Sequence, residues 1–88
     1  MAQLLNRFGR RIAWLSALEI AYPVGREGAL FRASVASDTL EGLDPMRLRF
    51  FVVQDQSGQR YAATIERVQR APEDDRVSYI SGVVVAGA

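Results

Sequence analysis

MRLRFFVVQDQSGQRYAATIERVQRAPEDDRVSYISGVVV, residues 46–85, decides how the rest of this chain is read. Three β-type runs, Arg47–Gln54, Arg60–Gln69 and Val77–Val85, are separated by two compact turn signals. That spacing is the pattern of an antiparallel meander. Asp55-Gln56-Ser57-Gly58 reads as a hairpin loop with Gly58 left-handed, and Ala71-Pro72-Glu73-Asp74-Asp75 as a charged turn. Leu48–Val53 is apolar on both faces, which suits a strand covered on both sides. In the second run Tyr61, Ala63 and Ile65 share one face, with Arg60, Thr64 and Glu66 on the other.

The last run carries no charge after Arg76. Val77, Tyr79, Val83 and Val85 lie on one face, and Ile80 and Val84 on the other. A solvated edge strand normally carries charges that block edge-to-edge pairing. This strand is therefore either central in a closed barrel or covered by another chain. The second alternative makes Val77, Tyr79, Ile80, Val83, Val84 and Val85 the expected interface.

Working outward, Asp38–Pro45 is too rich in Asp, Gly and Pro to continue a strand and reads as a loop. Ala29–Ser37 alternates and predicts a strand. PVGREG, residues 23–28, predicts a turn. Ile12–Tyr22 fits two descriptions. Ile12, Trp14, Leu18, Ile20 and Tyr22 occupy alternate positions as in a strand, interrupted only by Ser16, with Ala13, Ala17 and Glu19 opposite; Leu15, Leu18 and Ala21 also make a helical stripe. Pro23 ends the element either way. Leu4, Leu5 and Phe8 have helical spacing before Gly9, so residues 1–11 predict a short helix or arm with Arg7, Arg10 and Arg11 at its end. The fold class expected is mainly β: one domain over residues 1–88, a small five-stranded antiparallel barrel or bent sheet with a short N-terminal helix or arm.

With 88 residues the chain buries only about 60–65% of its unfolded surface. It has no cysteine or histidine, so neither a disulfide nor a thiolate or imidazole metal site can staple the fold. Dense β packing or association with other chains must supply the rest. A net charge of +1 argues against a general nucleic-acid binder. No apolar run reaches the roughly 20 residues of a membrane-spanning helix, and the first residues lack the apolar length of a secretory signal. A cytoplasmic setting, or an assembly formed there, is the expectation.

Residue types exclude most catalytic chemistry. Histidine, cysteine and lysine are all absent, so a serine–histidine triad, a thiol nucleophile, a Schiff base and a phosphate-loop lysine are ruled out. The carboxylates Glu41 with Asp44, and the run Glu73-Asp74-Asp75, both sit in turn-like sequence. No metal, no cofactor and no enzymatic activity are expected. Phe50, Phe51 and Tyr61 could stack bases, but their apolar neighbours make core packing the reading preferred.

One constellation resembles a family. Arg7-Phe8-Gly9-Arg10-Arg11 is an R-x-x-x-R string, and Ser37-Asp38-Thr39-Leu40-Glu41-Gly42 stands where PilZ domains carry [D/N]-x-S-x-x-G. The resemblance implies a small β-barrel binding cyclic di-GMP through Arg7, Arg11, Ser37, Thr39 and Gly42. Ser37 replaces the Asp or Asn of that motif and Thr39 its serine, which favours the family's ligand-free, protein-binding members. The principal expectation is a structural or assembly module, such as a virion component, that packs through β surfaces against copies of itself or a larger partner. PilZ-like signalling is the alternative.

Overall fold

The computed structural model describes residues 1–22, 28–40 and 50–87. It contains six strands: β1 (Ala2–Leu5), β2 (Arg11–Ala21), β3 (Ala29–Ala36), β4 (Phe51–Gln54), β5 (Arg60–Arg70) and β6 (Val77–Gly87). A 3₁₀ turn, Ser37–Leu40, follows β3. The strands close into an antiparallel barrel in the order β1-β2-β3-β6-β5-β4. Among the described residues no helix is long and apolar enough to cross a membrane.

The mainly β class, the barrel and the β4-β5-β6 meander agree with the sequence. Two expectations need correction. The described residues form six strands rather than five, and the extra one is the N-terminal segment expected to be a helix or arm. Gln3, Leu4 and Leu5 pair with Gln54, Val53 and Val52, and this pairing closes the barrel. Leu4 and Val53 are partners in that register and both are fully buried. Helical spacing in so short a segment is a weak preference, which strand pairing and burial override. Phe8, assigned to the helical stripe, instead lies exposed in the β1–β2 turn. The Asn6 carboxamide oxygen holds that turn, accepting from the Phe8 and Arg10 amides, and Gly9 takes φ +83°.

β2 is a strand, which settles the strand-or-helix alternative, but its inward face differs from the one expected. Ala13 and Leu15 point into the core, and Trp14 lies outside. The register shifts between Ser16 and Glu19, where Ala17 has φ +52°. This bulge adds one residue and reverses the alternation, so Leu18 and Ile20 return to pack against the core. Steric logic supports the swap. Next to Leu4 and Leu5 a narrow barrel has room for Ala13 and not for an indole.

β6 is not an edge. It pairs with β3 on one side and β5 on the other, so the closed-barrel alternative accounts for its lack of charge. Closure leaves no free strand among the described residues, which removes the hazard that edge charges normally counter. Gly82 sits inward on β6, between Phe31 of β3 and Ile65 of β5. Its missing side chain lets β5 come close at the bulge between Ile65 and Arg67. The only buried polar residue among those described, Ser78, shares a 2.8 Å hydrogen bond with the Ser37 hydroxyl.

Gly58, in the β4–β5 turn, is left-handed as expected, at φ +91°. One Asp55 carboxylate oxygen accepts from the Ser57 hydroxyl and from the Ser57 and Gln59 amides. The Ser57 hydroxyl is the main cause holding Asp55 below the ordinary carboxylate range. A depressed folded pKa adds stability that is complete above the unfolded value and lost as pH falls through the folded one. Asp55→Ala should therefore lower the thermal midpoint at neutral pH. The gap to wild type should close as pH drops below about 4, in melts followed by circular dichroism.

Of the expected Arg47–Gln54 strand, residues 47–49 lie outside the described part, as does all but the start of the expected Asp38–Pro45 loop. Within the described part Phe51 and Val53 point inward, and Phe50 is exposed.

Candidate interaction surface

Side chains fill the barrel interior. Leu4, Leu15, Phe31, Val53 and Ile80 are all at most 2% exposed, as expected when six strands enclose no more than a side-chain-packed core. Recognition therefore falls to the outer wall.

On one flank, pairing lines up residues across four strands. Glu19, Arg32, Ser81 and Arg67 form one outward row over β2-β3-β6-β5, and Ser34, Tyr79 and Gln69 form the next. Bulges in β2 and β5 lie on either side of the β3–β6 pair, and between them runs a groove of about 440 Å³. Arg32 is bound to Glu19, and Arg67 has no acidic partner among the described residues. Hydroxyls, an amide and guanidinium forks can hold a carboxylate or a side chain in this groove. The Tyr79 hydroxyl donates to Glu73. That bond lowers the Glu73 pKa and raises the Tyr79 pKa.

The opposite flank is cationic and aromatic. Trp14, Gln3, Gln54 and Arg60 form an outward row across β2-β1-β4-β5, with Arg60 Nε donating to the Gln54 side chain. The Arg11 guanidinium stacks 4.1 Å from the Trp14 ring, and that of Arg7 lies 4.8 Å from the Phe8 ring. Phe8 is 75% exposed and Trp14 46%. Neither aromatic was singled out from the sequence as a surface group. An aromatic within three residues of an arginine in a turn-bounded hairpin is the signal that could have found them.

The remaining expected residues separate by face. Ile80 and Val84 are in the core and cannot meet a partner, which corrects their place in the interface. Period-2 geometry assigns one face inward, and theirs is that face. Val77 and Val83 are half-buried on the outer side, with Tyr79 and Val85 exposed. Arg7 lies in the β1–β2 turn and Arg11 opens β2. Ser37 and Thr39 lie in the 3₁₀ turn. The Ser37 hydroxyl donates to the Asp75 carbonyl, and that of Thr39 to the Ala36 carbonyl. Gly42 lies outside the described residues.

Among the described residues the carboxylate–hydroxyl contacts, Asp55 with Ser57 and Tyr61 and Glu73 with Tyr79, lie at the two hairpin turns. Depressed carboxylate pKa values make both acids weak bases. Among the described residues no three acidic side chains converge as metal ligands would. Comparison with known protein families, characterised proteins and solved structures finds no match to this chain.

Proposed function

We propose that this chain is a non-enzymatic assembly module that packs through the outer wall of its barrel against copies of itself or a larger partner, in the manner of a virion or other multi-subunit component. One observation carries this reading. A closed barrel with a filled interior still leaves Phe8, Trp14, Tyr22, Phe50, Tyr79 and Val85 exposed. Tryptophan, tyrosine and arginine are the side chains most often found at the energetic centre of protein interfaces, and here an arginine and a tryptophan adjoin at Arg11 and Trp14. The PilZ-like alternative gains less support, because the Ser37 and Thr39 hydroxyls are occupied by internal hydrogen bonds.

Sedimentation velocity over a concentration series tests the reading. The wild type should associate as concentration rises. Trp14→Ser or Tyr79→Ser should weaken association by about 2 kcal/mol and leave the thermal midpoint nearly unchanged, since both side chains lie outside the core. A wild type that sediments as a monomer at every concentration, with solubility unaltered by either substitution, contradicts it.

A further inference from the structure

The charges on the outer wall are sorted by side. The flank at the β1–β2 seam holds Arg7, Arg10 and Arg11, all exposed, together with Arg60, whose guanidinium lies against Gly9. No acidic residue precedes Glu19 in the chain. Asp55, in the turn before Arg60, has its carboxylate filled by Ser57, Gln59 and Tyr61. None of these four arginines has an acidic partner among the described residues.

The flank at the β5–β6 seam has the opposite sign. Its turn carries Glu73, Asp74 and Asp75. The Ser37 amide and hydroxyl donate to the Arg76 and Asp75 carbonyls, which ties Asp38 of the 3₁₀ turn to the same place. Those four carboxylates, with Glu66 on β5, outnumber the three guanidiniums Arg67, Arg70 and Arg76, and Arg76 is already bound to Asp74. Tyr79 supplies exposed apolar surface beside them.

In the barrel order β1-β2-β3-β6-β5-β4, the β1–β2 and β6–β5 seams are separated by β3 on one side and β4 on the other. The two flanks thus lie on opposite sides of the barrel. A two-fold contact through either flank would set like charge against like. A head-to-tail contact sets unlike against unlike, with aromatic surface at the centre of each half.

We propose that the partner is a second copy of this chain, bound head to tail: the arginine–aromatic flank around Arg7, Arg11 and Trp14 of one copy receives the acidic turn around Glu73 and Asp75 of the next. This inference rests on the assembly reading and names its occupant. Such a contact repeats, giving a ring where the rotation closes and a filament where it does not. Guanidinium forks recognise carboxylates with two parallel hydrogen bonds, so the all-arginine basic complement suits the role.

A charge-swap experiment on the whole chain decides it. Arg7→Glu/Arg11→Glu and Glu73→Arg/Asp75→Arg are each expected to weaken self-association at least tenfold in sedimentation velocity. An equimolar mixture should recover association, because each variant keeps one native flank and the swapped flanks complement each other. Added salt should weaken wild-type association. Folding of each variant is checked by circular dichroism, and Arg7→Gln/Arg11→Gln serves if a reversal unfolds the chain. If the wild type associates but neither reversal nor salt weakens it, the head-to-tail contact is overturned and assembly through another face stands. Failure of the mixture to recover also overturns it. A wild type that stays monomeric overturns both.

Discussion

Gly82→Val is expected to leave no folded protein. A Cβ at position 82 would lie 1.8 Å from the Thr64 carbonyl oxygen and 2.8 Å from its carbon. Those atoms are backbone, so no rotamer change relieves the clash. β5 must move off β6, which forfeits ladder hydrogen bonds worth about 1 kcal/mol each in addition to an overpacking cost of about 1–3 kcal/mol. A chain of this length has a total stability on the order of 5–10 kcal/mol. Gly82→Ala should therefore lose about 3 kcal/mol or more in urea denaturation, and the valine variant should be unfolded without urea. Gly58→Ala provides the contrast. Its site is open, so only the positive φ of +91° opposes the methyl, at about 1–2 kcal/mol.

Leu4→Ala is expected to cost about 3 kcal/mol, within the usual range of about 2–5 for a buried leucine. Leu4 is fully buried and its register partners are Ala13 on β2 and Val53 on β4, so truncation opens a cavity where the barrel closes. Phe8→Ser, four residues later and exposed, should change stability by no more than about 0.5 kcal/mol. The pair separates two descriptions of the N-terminus. A loose arm or surface helix would leave Leu4→Ala nearly neutral, and a helix packed through its apolar stripe would make both substitutions costly.

The later half of the fold was legible because its signals are local. Asp55 and Gly58 specify their turn by their own chemistry, and Tyr61, Ala63 and Ile65 all pack on the core side, as their alternation predicts. The first twenty residues were less legible because their structure depends on distant partners. Only pairing with Val52–Gln54 makes a strand of Ala2–Leu5. In β2 the bulge at Ala17 puts Trp14 and Leu18, which share a parity in sequence, on opposite faces. A period-2 reading carries no information about a bulge at a non-glycine residue.

The outer surface was legible in part for a similar reason. Alternation along β6 correctly separated Tyr79 and Val85 from Ile80 and Val84, but did not say which face was inward. Burial of Ile80 and Val84 within a single chain removes the need for a neighbour to cover that face. The exposed aromatics and the opposed charges remain, and they lie on several strands. Their clustering depends on the cyclic order of the strands, which no short window of sequence contains.

Closure through β1 underlies all of this: it fills the interior, removes the free edges and sets the two flanks on opposite sides. Interstrand NOEs measured by NMR test it directly. Closure predicts backbone NOEs linking Leu4 to Val53 and Leu5 to Val52, with slowly exchanging amides in both strands. Helical sequential NOEs over residues 2–8, with no cross-peaks to β4, would contradict it.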